Sequence, residues 1–120
     1  MLRVLIVDDS SFMRKRLKGL LEDAGHTVVG TARDGKEGFE LYGLLRPDLV
    51  IMDVTMRGVD GIAGAKMIKK AHPDARIVFM SLVRDPHVID EAKRIGSLGF
   101  IEKKDHQQLF AIIEQENVQR

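Results

Sequence analysis

Hydrophobic residues along the chain fall into two kinds of segment, short aliphatic runs and longer stretches with helical spacing. Short apolar runs bounded by turn residues are typical of strands that a parallel sheet buries on both faces. Five strands are predicted, at Val4–Val7, Thr27–Ala32, Leu49–Met52, Ile77–Met80 and Gly99–Glu102. Each connection between them is long enough to hold one helix.

The connecting stretches predict five helices, and several of them carry signals at their ends. Ser10 or Ser11 can cap the first helix, and Pro86 is favourable in the first turn of the fourth. The predicted helices run from Ser10 or Ser11 to near Gly25, from Gly35 to Leu45, from Gly61 to Ala71, from Pro86 to Ile95 and from about Asp105 to Asn117. Apolar positions of the first helix include Phe12, Leu17, Leu20 and Leu21.

The regular alternation of strands and helices predicts an α/β fold with a parallel sheet covered on both faces. Right-handed crossovers favour a three-layer, doubly wound (βα)5 arrangement, with residues 1–120 forming one domain. Periodicity leaves the strand order open. In such folds, functional groups gather beyond the carboxyl ends of the strands.

Composition narrows the possible functions. The 120 residues are 44% hydrophobic and 31% charged, with a formal net charge of +1, so no overall field favours nucleic acid or a membrane surface. The absence of cysteine excludes disulfides and thiolate chemistry. We find no signal-peptide layout and no run of membrane-spanning length, and we expect a cytoplasmic protein. The four histidines lack metal-ligand spacing and are expected at the surface.

Polar side chains with related chemistry follow four of the predicted strands. Asp8 and Asp9 follow the first, Asp53 ends the third, Ser81 ends the fourth and Lys103 follows the fifth. Clustered carboxylates repel one another unless a cation compensates them, and hard oxygen ligands suit Mg²⁺. Carboxylates, a metal, a lysine and a hydroxyl are together the groups needed to receive a phosphoryl group.

The motifs resemble those of the response regulator receiver domain over essentially the whole chain. The matching segments are Val4 to Ser10, Asp53 to Met56, Asp60-Gly61, Ser81 and Gly99 to Lys103. This resemblance implies a flavodoxin-like fold with strand order 2-1-3-4-5. It also implies two-component signalling: a histidine kinase or histidine phosphotransfer protein would phosphorylate the chain.

The resemblance assigns a role to each site residue. Asp53 would be the phospho-acceptor. Asp9 and Asp53 would bind one Mg²⁺ directly, Asp8 through water, and Thr55 through its backbone carbonyl. Lys103 would pair with the phosphoryl oxygens.

The resemblance also implies a conformational switch. Ser81 would move to hydrogen-bond the phosphoryl group, and Phe100 would rotate inward behind it. The output surface for a downstream protein would be the face built from helix four, strand five and helix five. Enzymatic activity would be limited to the domain's own phosphorylation and dephosphorylation.

Several residues depart from the family pattern. Leu82 replaces a small residue, and we expect its bulk to slow reaction with small phosphodonors. Lys104 replaces a proline, so the Lys103–Lys104 peptide is predicted to be trans. Arg57 also replaces a proline, which predicts that the loop after Asp53 is less rigid. Thr55 and Val83 offer no carboxylate or amide to orient water, which predicts slow loss of phosphate.

Other interpretations remain at this stage. Carboxylates with Mg²⁺ and lysine also serve phosphatases with an aspartyl nucleophile, but Thr55 stands where a second acid would be needed. A flavodoxin-like cofactor binder would need a Gly-rich phosphate loop after the first strand, where Asp8 and Asp9 stand. A receiver-like domain that is no longer phosphorylated is the third alternative. The basic cluster from Arg14 to Lys18 is a solvated helix face or a contact for an acidic partner.

Overall fold

The computed structural model describes residues 1–119, which form five parallel strands and five helices. The strands are β1 (Arg3–Val7), β2 (Thr27–Ala32), β3 (Leu49–Asp53), β4 (Ile77–Ser81) and β5 (Gly99–Glu102). The helices are α1 (Ser11–Asp23), α2 (Gly35–Leu45), α3 (Gly61–Ala71), α4 (Pro86–Ile95) and α5 (His106–Val118). The strand order β2-β1-β3-β4-β5 confirms the predicted topology.

Short-range capping explains why the predicted helix boundaries are close to those observed. The Ser10 hydroxyl accepts a hydrogen bond from the backbone N–H of Met13, and the Asp105 carboxylate accepts one from Gln108. Such caps satisfy N–H groups that have no partner within the helix. Both signals lie within four residues of the helix start, so the sequence contains them locally.

Side chains alternate between the two faces of the sheet and form two separate cores. Leu5 and Val7 of β1 pack on one face with residues of α2, α3 and α4, whereas Val4 and Ile6 pack on the other with residues of α1 and α5. The central strands β3 and β4 are buried along their whole length. The three-layer arrangement is therefore confirmed.

One apolar side chain of α1 is exposed, and one histidine differs from its predicted position. Phe12 lies off the face that Leu17 and Leu21 bury, and 68% of its surface is exposed. His26, expected at the surface, is buried; its Nδ1 accepts a hydrogen bond from the backbone N–H of Leu2 at 3.1 Å. The connection after α1 folds back, with the His26 N–H bonded to the Leu21 carbonyl, and this carries the ring inward.

Among the described residues, no helix combines the length and the apolar character needed to cross a membrane.

Candidate functional site

The polar residues predicted to act together do converge at one edge of the sheet. Asp8 and Asp9 follow β1, Asp53 ends β3, Ser81 ends β4 and Lys103 follows β5. Because β1, β3, β4 and β5 are consecutive in the sheet, their carboxyl ends lie side by side. The strand order thus joins groups that are up to 95 positions apart in the chain.

Lys103 is the central cation of this site. Its Nζ lies 3.0 Å from Asp8 Oδ2 and 3.1 Å from Asp53 Oδ2, and only 9% of its side chain is exposed. The Lys103 backbone N–H donates to the Ser81 carbonyl at 2.9 Å, which ties the loop to β4. The described residues contain no cis peptide, so the trans Lys103–Lys104 bond is confirmed and still allows Lys103 to reach both carboxylates.

Burial and charge set the ionisation of the two central groups. Burial, followed by the neighbouring charge of Asp8, raises the pKa of Asp53 to about 6, although Lys103 acts in the opposite direction. Burial opposes the charge on Lys103, but its pairing with Asp8 and Asp53 outweighs that effect and raises its pKa. At neutral pH the site therefore holds ionised Asp53 beside a charged ammonium group.

Three carboxylates form a group that fits a hard divalent cation. One ligand oxygen from each of Asp8, Asp9 and Asp53 lies within 4.8 Å of the others. The buried Oδ2 of Asp53 has the Lys103 ammonium as its neighbour, at 3.1 Å. Oxygen ligands with excess negative charge are the donors that Mg²⁺ prefers. The residues present therefore suit that ion.

The two aspartates after β1 have different surroundings. Asp8 Oδ1 accepts a hydrogen bond from the Ser10 N–H at 2.9 Å, and the Arg14 guanidinium donates to the Asp8 backbone carbonyl at 2.8 Å. Asp9 Oδ2 instead accepts from the Arg57 N–H at 3.2 Å, with Arg57 Nε 3.8 Å away. The sequence indicates only a loop position for Arg57, because no local signal links positions 9 and 57.

The predicted switch residues lie on β4 and β5. Ser81 is buried, and its hydroxyl accepts a hydrogen bond from the Val83 N–H at 3.2 Å. Phe100 on β5 is half-buried and packs against the core that α2, α3 and α4 cover. The hydroxyl and the ring therefore lie on neighbouring strands, with Phe100 paired in register to Phe79.

A cleft of about 680 Å³ opens above Asp53. Its rim carries exposed apolar side chains: Leu82 is 76% exposed, Val83 65% and Phe12 68%. Thr55, also exposed, lines the same cleft. The remaining lining residues are Asp9, Ser10, Met13, Arg16, Ser81, Lys103, Lys104 and His106. The Asp53 carboxylate is thus reached past an apolar rim with basic groups.

Comparisons with known proteins agree with this geometry. The family model described as the response regulator receiver domain matches residues 4–114. The chain is 44% identical over 101 residues to the chemotaxis protein CheY of Thermotoga maritima, covering 84% of each protein. It is 40% identical to a protein-glutamate methylesterase/protein-glutamine glutaminase of Methanococcoides burtonii, covering 98% of this chain but 34% of that protein.

Solved structures give the same result. The response regulator domain of Thermotoga maritima CheB superposes with a TM-score of 0.86 at 33% identity, over 98% of this chain and 97% of that one. CheY from Borrelia burgdorferi, solved in the complex described as CheX-CheY-BeF3-Mg+2, superposes with a TM-score of 0.84 at 29% identity, over 92% and 88%.

Proposed function

The chain belongs to the response regulator receiver domain family, and from this premise we propose that Asp53 accepts a phosphoryl group in a Mg²⁺-dependent reaction. The donor would be a histidine kinase or a histidine phosphotransfer protein. Residues 1–120 would act as one receiver domain whose partner-binding surface changes on phosphorylation. Its catalysis would be limited to its own phosphorylation and dephosphorylation.

The observation that carries this proposal is the position of Asp53. Its carboxylate is buried at the end of a central strand, beside two further carboxylates and within 3.1 Å of the Lys103 ammonium. With a pKa of about 6, it is ionised at neutral pH and can act as a nucleophile.

The transfer follows from these contacts. An Asp53 carboxylate oxygen forms a bond to phosphorus while the P–N bond of the donor phosphohistidine breaks, and the imidazole nitrogen keeps the electron pair. Lys103 is placed to neutralise charge on the phosphoryl oxygens. Asp8, Asp9 and the backbone carbonyl of Thr55 would hold the metal with Asp53. Bound Mg²⁺ would offset the repulsion between the carboxylate and the phosphoryl group.

The switch would use residues on the neighbouring strands. Ser81 would exchange its hydrogen bond from Val83 for one to the phosphoryl group, and Phe100 would turn inward behind it. Among the described helices, α4 is the most lightly anchored, with Ala92 as its one fully buried residue. A helix with few buried contacts is a suitable element for a population shift, so we assign output to the α4–β5–α5 face.

A partner protein fits the exposed rim of the cleft better than a small substrate does. Leu82, Val83 and Phe12 offer apolar area, and Arg16 and Lys104 add positive charge beside it. Rims of this kind suit a protein phosphodonor with an acidic surface. The phosphatase-like alternative is disfavoured, because Thr55 supplies no second acid. We expect no direct contact with nucleic acid.

Intact mass spectrometry after incubation with acetyl phosphate and Mg²⁺ tests the proposal. The wild-type protein should gain the mass of one phosphoryl group, whereas Asp53→Asn and a chelator-treated sample should not. Asp9→Asn should reduce the gain while leaving the acceptor intact. If neither wild type nor Leu82→Ala gains mass, the proposal fails, because a site merely closed to small donors would react in the Leu82→Ala protein.

A further inference from the structure

Arg57 is the second cation that pairs with the acidic cluster. Lys103 contacts Asp8 and Asp53, and Arg57 contacts the remaining carboxylate, Asp9. Two nitrogen atoms of Arg57 lie near the same oxygen of Asp9, Oδ2. The backbone N–H donates to it at 3.2 Å, and the side-chain Nε lies 3.8 Å away. Each carboxylate of the cluster therefore faces a cation supplied by the chain itself.

The two cations differ in how firmly they are held. Only 9% of the Lys103 side chain is exposed, whereas 94% of the Arg57 side chain is. The guanidinium of Arg57 reaches Asp9 from the solvent side, and Asp9 is itself the most exposed of the three carboxylates. An exposed pair of this kind is weak and is screened by salt. Arg57 can therefore leave without disturbing the core.

We propose that Arg57 acts as a displaceable counter-ion that lowers the affinity of the acidic cluster for Mg²⁺. The inference rests on the proposed metal site. A divalent cation close to Asp9 must either displace the guanidinium or bind against its positive charge, and both cost binding free energy. A substitution of the Arg57 side chain keeps the backbone N–H that bonds Asp9, so the proposed effect belongs to the side-chain charge. Arg57 is thus a residue that sets metal affinity without being a ligand.

Isothermal titration calorimetry with MgCl₂ on the unphosphorylated protein measures this directly. Arg57→Gln should bind Mg²⁺ three- to tenfold more tightly, an order-of-magnitude range expected for removing one exposed charge near a divalent ion. Arg57→Lys, which keeps the charge, should stay near wild type. Arg94→Ala is the control. It removes an exposed charge from the last turn of α4, at the end of the helix that leads into β5.

Salt dependence gives an independent measurement. The screening length falls from about 30 Å at about 0.01 M salt to about 3 Å at about 1 M. The difference in Mg²⁺ affinity between Arg57→Gln and wild type should therefore decrease as the salt concentration rises. A difference that persists unchanged at high salt would overturn the electrostatic account.

The outcomes separate this inference from the proposed function. Asp9→Asn should abolish or greatly weaken binding. If wild type binds Mg²⁺ and Asp9→Asn does not, but Arg57→Gln equals wild type, the role of Arg57 is refuted and the metal site stands. Weaker binding by Arg57→Gln would likewise refute it, since the arginine would then be positioning Asp9. If wild type binds no Mg²⁺, both proposals fail.

Discussion

At the scale of single residues, the site concentrates charge that the fold does not fully compensate. Asp53 is 3% exposed and Asp8 2% exposed, and one ammonium group, Lys103, faces both of them. Ionising Asp53 in these surroundings is unfavourable, which is why its pKa rises to about 6. The ionised Asp53 carboxylate is thus maintained at a cost in stability, as is common at functional sites.

The raised pKa of Asp53 predicts a pH-dependent stability. A carboxyl group whose folded-state pKa exceeds the unfolded value of 3.8 is protonated in both states at lower pH, where it costs nothing. As pH rises through about 6 it ionises in the folded state too, and the full cost appears. Without metal, Asp53→Asn should therefore raise the free energy of unfolding at about pH 7 by about 2 to 3 kcal/mol.

Urea unfolding in the presence of chelator, followed between about pH 4 and pH 7, checks this expectation. The gain should disappear toward the acidic end of the range. Asp74→Asn, at an exposed position before β4, is the control and should show no comparable gain. A stability increase for Asp53→Asn that is equal at both ends of the range would contradict the assigned cause.

Leu82 predicts a kinetic effect. Its side chain lies on the rim of the cleft above Asp53 and is 76% exposed, so truncating it opens the approach and removes little core packing. Leu82→Ala should be phosphorylated faster by acetyl phosphate, with a free energy of unfolding within about 0.5 kcal/mol of wild type. Leu44→Ala, 80% exposed on α2, is the matched control. Equal phosphorylation rates would remove Leu82 as an access determinant.

At the scale of elements, each helix begins with a polar cap that the sequence encodes locally. Ser10, Asp34, Asp60, Asp85 and Asp105 each accept a hydrogen bond from a backbone N–H in the first turn of the helix that follows. Four of the five are aspartates, which also suit the positive end of the helix dipole. These local caps explain why predicted and observed helix starts agree closely.

Packing between elements depends on contacts that the sequence does not show directly, and α2 against α3 is the clearest case. A Cβ placed on Gly64 of α3 would lie 2.5 Å from the Cα of Gly35 and 3.0 Å from its carbonyl oxygen. Backbone atoms cannot move away as a flexible side chain can. Gly64→Ala should therefore destabilise the domain by about 1 to 3 kcal/mol or more.

Gly43 provides the matched control for this prediction. It lies within α2, and a Cβ there would meet no atom within 4 Å. Gly43→Ala should stabilise the domain by roughly 0.5 to 1 kcal/mol, because alanine favours the helix more than glycine. Thermal unfolding of both variants tests this prediction. If Gly64→Ala and Gly43→Ala shift the unfolding temperature in the same direction, the α2–α3 contact is not the cause of the Gly64→Ala effect.

At the scale of the whole molecule, the fold holds together distant parts of the chain around the site. The carboxylate of Glu116 on α5, itself buried, pairs through both oxygens with the Arg76 guanidinium just before β4. The amino terminus donates to the Asn117 side chain at 2.7 Å. These contacts join α5 to the amino terminus and to the segment before β4, both of which are distant from it in the sequence.

Binding of Mg²⁺ to the folded state predicts that the metal stabilises the whole domain. If Mg²⁺ binds the folded state and not the unfolded chain, a tenfold excess over its dissociation constant should raise the free energy of unfolding by about 1.4 kcal/mol. Denaturant unfolding with and without MgCl₂ measures the change. Asp9→Asn should lose the increase. The same increase in wild type and Asp9→Asn would show that the ion acts elsewhere.

The strands and helices, the three-layer class and the meeting of Asp8, Asp9, Asp53 and Lys103 at one edge of the sheet could be predicted from the sequence. Those features depend on signals within one strand or one helical turn, and on motifs whose members already stand at predicted strand ends. Strand order came from the resemblance, because periodicity describes which face a residue takes but not which strand lies beside it. The exposure of Phe12, the burial of His26 and the pairing of Arg57 with Asp9 depend on the tertiary structure. Each depends on neighbours brought together by chain reversal, and a contact between residues 48 positions apart leaves no trace in local spacing.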